Sequence, residues 1–294
     1  MLVLGGAGFI GRHAVSALAS QGANVTVGTS HPDKVASRLH ANSTKLPCHV
    51  VRVHECLEPA AWQAHIQPYD AVLNCVGVLR PVGRATYAKV HTLAPAALAE
   101  CARDLNKRLV HISALGLHAD AGSRFITSKL NGEEAIKATG GDWIIARPSL
   151  IDGEGGFGAR WLRGVAALPF FVAPSKARGQ IAALDATDLG EALAKLCLAS
   201  EEELRLSESR EFELGGTRSY GFAEYIHALR SRRGDRRAYC LNIPSGLARF
   251  VSHICDGLHF TPFSYGHHEL LHRDNVPNPN RLPELLGRAP KVVA

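Results

Sequence analysis

The residues whose types and spacing suit chemistry begin at Gly5. Gly5-Gly6-Ala7-Gly8-Phe9-Ile10-Gly11 fits both G-x-G-x-x-G and G-x-x-G-x-x-G. Glycines at this spacing make a tight turn and let backbone approach a pyrophosphate. A helix opening just beyond them adds free N–H groups and a positive dipole end. The pattern alone is weak, because a plain Gly-rich strand–helix turn produces it too. Its context is the one the chemistry needs. The apolar run Leu2-Val3-Leu4 precedes it, and Val15, Leu18 and Ala19 line one face of the segment that follows. The loop therefore reads as a dinucleotide cradle built from Gly5, Gly6, Ala7, Gly8, Phe9, Ile10 and Gly11.

An NAD site of this kind ends its second strand on a carboxylate that binds the ribose 2′-OH. Here the strand ends Val27-Gly28-Thr29-Ser30-His31, and no Asp or Glu occurs before Asp33. A carboxylate there would repel a 2′-phosphate, so its absence tolerates one. Arg12, Thr29, Ser30 and Lys34 are suited to bind that phosphate by charge-assisted hydrogen bonds. The plainer reading makes Arg12 and Lys34 surface residues on helix first turns. NADP(H) is favoured over NAD(H).

Other groupings carry less chemistry. His267, His268 and His272 suggest a metal, but no carboxylate or Cys shares their spacing, so a surface loop is the better reading and no metal is expected. Arg230, Arg232, Arg233, Arg236 and Arg237 read as a solvated helix end and loop. No aromatic residues interleave them as a single-strand nucleic-acid platform would need. Leu247 to Phe260 is amphipathic, and core packing explains it as well as contact with a membrane or partner. The seven cysteines form no C-x-x-C pair, and their odd number and wide spacing fit reduced thiols in a cytoplasm.

These residues need a scaffold. The chain has 294 residues, 46% hydrophobic and 20% charged, which excludes a disordered chain, a collagen and a coiled coil. The length suits two domains or one large one, with no disulfide or metal staple required. A net charge of +6 allows anionic partners without demanding them. Gly5 and Gly6 interrupt the apolar start, so no signal peptide is expected, and Gly164 to Pro174 is too short to span a bilayer.

Strand-like runs at Leu2–Leu4, Asn24–Val27, His49–Val53, Ala71–Cys75, Arg108–Ser113 and Trp143–Ala146 lack polar alternation, as strands covered on both faces do. Helical segments at Arg12–Gln21, Asp33–His40, Ala60–Ile66, Tyr87–Leu105 and Ile126–Ala138 separate them. This alternation predicts an α/β, Rossmann-type doubly wound parallel sheet over residues 1–150. Residues 151–294 read as a smaller mixed α/β substrate-side lobe, partly interleaved with the sheet. Its expected helices are Asp188–Leu198, with Thr187 as N-cap, Phe222–Leu229 and Gly246–Ile254.

The chain resembles the short-chain dehydrogenase/reductase superfamily, in its extended or atypical branch. The resemblance rests on Gly5-x-x-Gly8-Phe9-Ile10-Gly11, Val72-Leu73-Asn74-Cys75-Val76-Gly77, Val110-His111-Ile112-Ser113, Ser128-Lys129-x-x-Gly132-Glu133 and Arg147-Pro148-Ser149. Within the branch it is most similar to bacterial relatives of the nucleotide-binding accessory subunit of respiratory complex I. The resemblance implies that Val76 and Gly77 lie beneath the adenosine ribose. Leu57 would sit beside the adenine, with Cys56 where the family often has Asp. Lys129 would hydrogen-bond the nicotinamide ribose, and Pro148 and Ser149, with residues to Ile151, would line the nicotinamide end.

The family's acid/base is a Tyr four residues before the Lys, and that position is Phe125 here. Phenylalanine has no proton to exchange, and general acid–base help is typically worth about 10²–10⁴-fold. Ser113 survives at its strand end. Tyr87, His91, His111 and His118 are replacement candidates. His91 leads because imidazole titrates near neutrality, against the plain reading of an ordinary helix residue. Two functions are expected to compete. One is an NAD(P)-binding protein with weak, altered or absent oxidoreductase activity and an accessory, assembly or sensor role. The other is an active oxidoreductase or sugar-nucleotide epimerase that uses a replacement acid. The expected partners are the dinucleotide and an unknown small molecule or protein complex. Nucleic acid is disfavoured, and a cytoplasmic location, with peripheral membrane contact through a partner, is the expectation.

Overall fold

Leu2–Leu4 (β1) is the middle of the fold because all three of its side chains are fully buried. Val3 points into one apolar layer and Leu2 and Leu4 into the other, as period-two alternation requires. The structure is a computed structural model and describes residues 1–39, 45–175, 177–206, 209–258 and 263–294. The further strands are Thr26–Thr29 (β2), Cys48–Val50 (β3), Ala71–Asn74 (β4), Arg108–Ile112 (β5) and Trp143–Pro148 (β6). An edge strand, Glu211–Leu214, joins them. The sheet order is edge strand, β6, β5, β4, β1, β2, β3, and every pairing is parallel.

Helices Phe9–Ser20 (α1), Val35–Arg38 (α2), Pro59–Ile66 (α3), Ala94–Asp104 (α4) and Arg124–Ala138 (α5) connect the strands. In the second half come Phe157–Ala167 (α6) and Ala186–Leu198 (α7). On one face Val15 and Leu18 of α1 pack with Leu189, Leu193 and Leu196 of α7 over Val3, Val27 and Val110. On the other, Trp62 of α3, Leu98 of α4 and Ile136 of α5 cover Leu2, Leu4, Val72 and Leu109. The chain therefore returns to the sheet after residue 150, with α7 on one face and the edge strand beside β6.

A third apolar cluster belongs to the later lobe. Leu162 and Ala166 of α6 meet Tyr225, Ile226 and Leu229 of the helix Phe222–Arg232 over Phe171 and Ala173. Phe171 and Ala173 lie on a two-stranded parallel ribbon, Phe170–Pro174 with Tyr239–Ile243. The helices Ser245–Leu258 and Tyr265–Leu270 follow and pack on each other.

Several elements differ from expectation. The segment predicted as one helix from Tyr87 begins with a π-helical turn, Ala88–Leu93, before α4. The helix predicted over Asp33–His40 is a 3₁₀ turn, Pro32–Lys34, followed by α2, with His40 outside the described residues. The α7 cap is Asp185, not Thr187: its carboxylate accepts from the N–H groups of Thr187 and Asp188. Arg230 is buried, not solvated, and donates to the carbonyls of Ala166, Leu168 and Arg236.

Candidate functional site

The sheet order reverses between β1 and β4, and the crevice outside those strand ends is where α/β sheets bind ligands. The glycine loop fills that point. Gly5 has φ +69, and its amide donates to the Gly28 carbonyl at 2.9 Å, which folds the chain back over β2. A Cβ on Gly11 would lie 2.2 Å from the Gly5 carbonyl oxygen, so only glycine lets α1 start this close to β1. Gly8 caps α1 without a side chain, and the first turn holds no acidic residue. Among the described residues the amides of Phe9, Ile10 and Gly11 have no backbone acceptor. Unclaimed amides at a helix start, backed by Cβ-free backbone, fit a pyrophosphate.

The turn after β4 forms the opposite wall. Asn74 is 1% exposed and locks that turn: its Oδ1 accepts from the Val76 amide at 3.1 Å, and its amide donates to His111 Nδ1 at 3.1 Å. Val76 touches the Gly5 position, and Gly77 faces His91. Leu57 is half-buried and packs on the same apolar cluster as Val76.

At the end of β2, Ser30 and Lys34 are exposed and the Thr29 hydroxyl accepts from the His31 amide at 3.1 Å. Arg52, exposed just beyond β3, adds a cation that sequence reading passed over, because only the pairing of Val50 with Thr29 brings it near. Arg12 lies elsewhere than expected. Its guanidinium donates to the Glu154 carbonyl and lies 5.8 Å from the Phe9 ring centre. It ties the 153–156 loop to the glycine loop and is not directed toward Ser30 and Lys34.

The cavity beside this crevice has a volume of about 510 Å³ and mostly apolar walls. The ends of β5 and β6 reach it through Ser113 and Pro148, and α5 contributes Phe125 and Lys129. Ser113 Oγ is buried with no hydrogen-bond partner among the described residues. Lys129 is half-buried, its ammonium 6.0 Å from the Phe125 ring centre. Burial lowers the ammonium to about 8, against the pull of Glu133. Glu133 is fully buried and holds the Arg147 guanidinium through two oxygens, fastening α5 to β6.

Phe125 sits among rings. Tyr87 and His91 meet it edge-on at 5.9 and 5.6 Å, and His267 stacks on it at 5.8 Å. No hydroxyl stands at this position.

His91 is not placed to replace one. Its Nε2 accepts from the Val78 amide at 3.1 Å. Its Nδ1 bonds Ser128 Oγ at 3.0 Å, and that hydroxyl's proton goes to the Phe125 carbonyl. Both ring nitrogens are spent, which fixes the neutral Nδ1–H tautomer. Burial, then the charges of Lys129 and His111, push the ring down to about 2. His91 therefore clasps the turn after β4 to α5, and the expectation that it serves as an acid fails on geometry. The π-helical turn carries it there, where Gly132 admits the His91 carbonyl at 1.9 Å from a would-be Cβ.

The other expected donors are also engaged. Tyr87 Oη donates to the Leu79 carbonyl at 2.7 Å, and burial pushes it up to about 12. His111 is buried against Asn74 and is pushed down to about 3, first by burial and then by Lys129. His118 bonds the Gly116 carbonyl. Ser149 lies on the cavity wall, but its hydroxyl donates to the Asn275 carbonyl at 2.5 Å and accepts from the Ala182 amide at 3.1 Å. It joins β6 to the later lobe and has no free donor for a ligand.

His267 takes the opposite course. Expected on a surface loop, it lies in the helix Tyr265–Leu270 and on the cavity wall. Its Nδ1 meets Ser264 Oγ at 2.6 Å, and Nε2 has no partner among the described residues. Burial, then Arg80, lower it to about 4 against the pull of Asp256. Its signal in the sequence was masked by His268 and His272, which invited a metal reading. No group of three or more His, Cys, Asp or Glu among the described residues could hold a metal.

Similarity to known proteins runs along the whole chain. It is 23% identical over 252 residues to the mitochondrial NADH-ubiquinone oxidoreductase 40 kDa subunit of Neurospora crassa, covering 85% of this chain and 64% of that protein. It is 27% identical over 153 residues to a ceramide reductase of Caulobacter vibrioides, covering 52% of this chain and 46% of that one. The chain thus spans less than two-thirds of either curated relative. The NADPH-dependent quinone oxidoreductase QOR2 of Escherichia coli, solved with NADPH, superposes with a TM-score of 0.73 over 99% of this chain and 96% of that one, at 14% identity. Residues 5–184 match the NAD(P)H-binding family, more than half of the chain, and the protein belongs to that family.

Proposed function

We propose that the protein binds NADP(H) in preference to NAD(H), and that its oxidoreductase activity is weak or altered because Phe125 stands where a proton donor is needed. The observation that carries this reading is the composition of the cavity wall. Among the described residues Ser113 Oγ has no hydrogen-bond partner, and the Lys129 ammonium on the same cavity wall stands over a phenyl ring, that of Phe125, and not beside a hydroxyl. The dinucleotide supplies a hydride when bound. This chain's part is to hold it: α1 amides at the pyrophosphate, Ser30, Lys34 and Arg52 at the 2′-phosphate, and Lys129 at the ribose near the nicotinamide. Ser113 would donate a hydrogen bond to a carbonyl oxygen, a polarising contact without proton transfer. The apolar walls favour an apolar carbonyl compound over a sugar nucleotide, in keeping with the reductase relative's named substrate. The relative in a respiratory enzyme supports an accessory role beside or in place of turnover.

One observation favours a second reading, an active reductase. Ser264 Oγ has only His267 Nδ1 to donate to among the described residues, which leaves the proton on Nε2, the free nitrogen on the cavity wall. A neutral imidazole of this kind donates a hydrogen bond to a developing oxyanion. The test is NADPH oxidation, followed by absorbance, with long-chain aldehydes and ketones. The first reading expects slow turnover that Phe125→Tyr raises by about 10²-fold or more and that His267→Gln leaves alone. Fast wild-type turnover, lost in His267→Gln with NADPH affinity kept, would replace the first reading with the second.

A further inference from the structure

Away from the cofactor crevice the molecule carries an apolar surface with no cover. On the ribbon, Phe170 and Val172 pair in register with Tyr239 and Leu241. Registered residues of a parallel pair share a face, and here all four are exposed, Tyr239 at 81%. Phe171 and Ala173, on the other face, are buried. Pro244 then leads into the helix Ser245–Leu258, whose side chains are sorted against the usual rule. Its small residues Ala248, Ser252 and Cys255 are buried. Its large ones, Leu247, Phe250, Val251 and Ile254, are exposed at spacings of three and four, Phe250 at 63% and Ile254 at 44%. Core packing therefore does not explain this amphipathic stripe. Exposed apolar patches of this kind mark interaction sites.

Charge says what covers it. Residues 230–258 hold six arginines and two aspartates. Asp235 is paired with Arg233 and Asp256 with Arg80. Arg236 and Arg237, which lead directly into Tyr239, are exposed and have no ion-pair partner among the described residues. Arg249 on the helix lies over the Tyr265 ring. A second copy of the chain would bring arginine against arginine. An anionic lipid surface complements both features: acyl chains for the aromatic and aliphatic side chains, and phosphates for the arginines. The patch also borders the cavity. Helix α6 lines the cavity with Phe157, Trp161 and Leu162 and runs into Phe170 of the ribbon, and Phe263, just beyond the exposed helix, is another wall residue.

We propose that the ribbon and the helix Ser245–Leu258 form a monotopic docking face for anionic membranes, which sets the cavity at the bilayer surface. The proposal does not depend on the cofactor reading. The experiment is co-sedimentation of the full chain with extruded vesicles of phosphatidylcholine alone, or with a third of phosphatidylglycerol, at low and high salt. Wild type is expected to sediment with the anionic vesicles, less so at high salt. Phe250→Glu with Ile254→Glu should lower binding at least about tenfold, and Arg236→Glu with Arg237→Glu by a similar factor. The unfolding midpoints should stay near wild type, since all four side chains are exposed. No sedimentation with anionic vesicles would overturn the proposal. So would binding that survives both double variants, or a dimer in light scattering that Phe250→Glu dissolves.

Discussion

Lys129 is the cavity-wall residue on which the proposed ribose contact rests, and its charge state gives that contact a test. Its neighbours on the packed elements are His91, His111 and Glu133. The first two stay neutral across the working range, because burial holds them down to about 2 and about 3. Only Glu133 favours the ammonium, and Arg147 shares its charge. Lys129 is protonated below about 8 and neutral above it. NADPH affinity should therefore fall as the pH rises through about 8, while Lys129→Ala binds more weakly with a flat profile there. Fluorescence titration of NADPH against pH checks this. Motif spacing singles out Ser113 and Lys129 as candidates, at fixed distances from strand and helix ends, and both line the cavity. His91 was not legible as a clasp. Its two hydrogen-bond partners come from the turn after β4 and from α5, and sequence spacing brings neither to it. Arg12 was hidden for a similar reason, since the Glu154 carbonyl claims it from the later lobe.

Among the elements, the junction of β1 and α1 carries the cofactor argument. Gly11→Ala would drive a methyl into the Gly5 carbonyl, at a cost of about 1–3 kcal/mol of overpacking. NADPH binding should weaken at least about tenfold, since the first-turn amides move with the helix. Gly164→Ala in α6 is the control: nothing lies within 4 Å of the added methyl, so thermal stability should rise by up to about 1 kcal/mol. The α7 cap gives a pH test. Burial raises the Asp185 carboxyl, but the Thr187 hydroxyl, Lys291 and the capped amides outweigh it and leave the carboxyl below its usual value. Asp185→Ala should cost about 1 kcal/mol near neutrality. A depressed carboxyl stabilises above its unfolded value, so the difference between wild type and variant should vanish as the pH falls through the folded value. Denaturant melts at pH 7 and in acid measure it.

Most of the sheet was readable because largely apolar runs have few other uses, but β3 is a short strand at the sheet margin, Cys48–Val50, with Cys48 and Val50 exposed, where His49–Val53 was expected. The edge strand was not readable. Glu211 and Glu213 interrupt it, and it is tolerated because Glu211 meets Arg147 and Lys137 while Glu213 accepts from the Asn278 amide. The π-helical turn was hidden too, since one extra residue in a turn leaves the apolar period nearly unchanged.

At the scale of the whole molecule, composition offered a positive balance with no address. Folding places part of it in two regions, exposed cations at the ends of β2 and β3 and arginines beside an apolar face of the later lobe, and leaves others, such as Arg84 and Arg218, exposed elsewhere. Neither could be placed from the chain alone, because exposure of Phe250 or Arg52 is decided by what packs around them. Among the described residues no helix is long and apolar enough to cross a membrane. The most direct measurement on the site as a whole is thermal unfolding with each dinucleotide. NADPH at about 100 times its dissociation constant should add about 2.7 kcal/mol of stability. NADH at the same concentration should add less, and Gly11→Ala should lose most of the gain. A midpoint that moves with neither dinucleotide would contradict the assignment of this crevice to a nicotinamide cofactor.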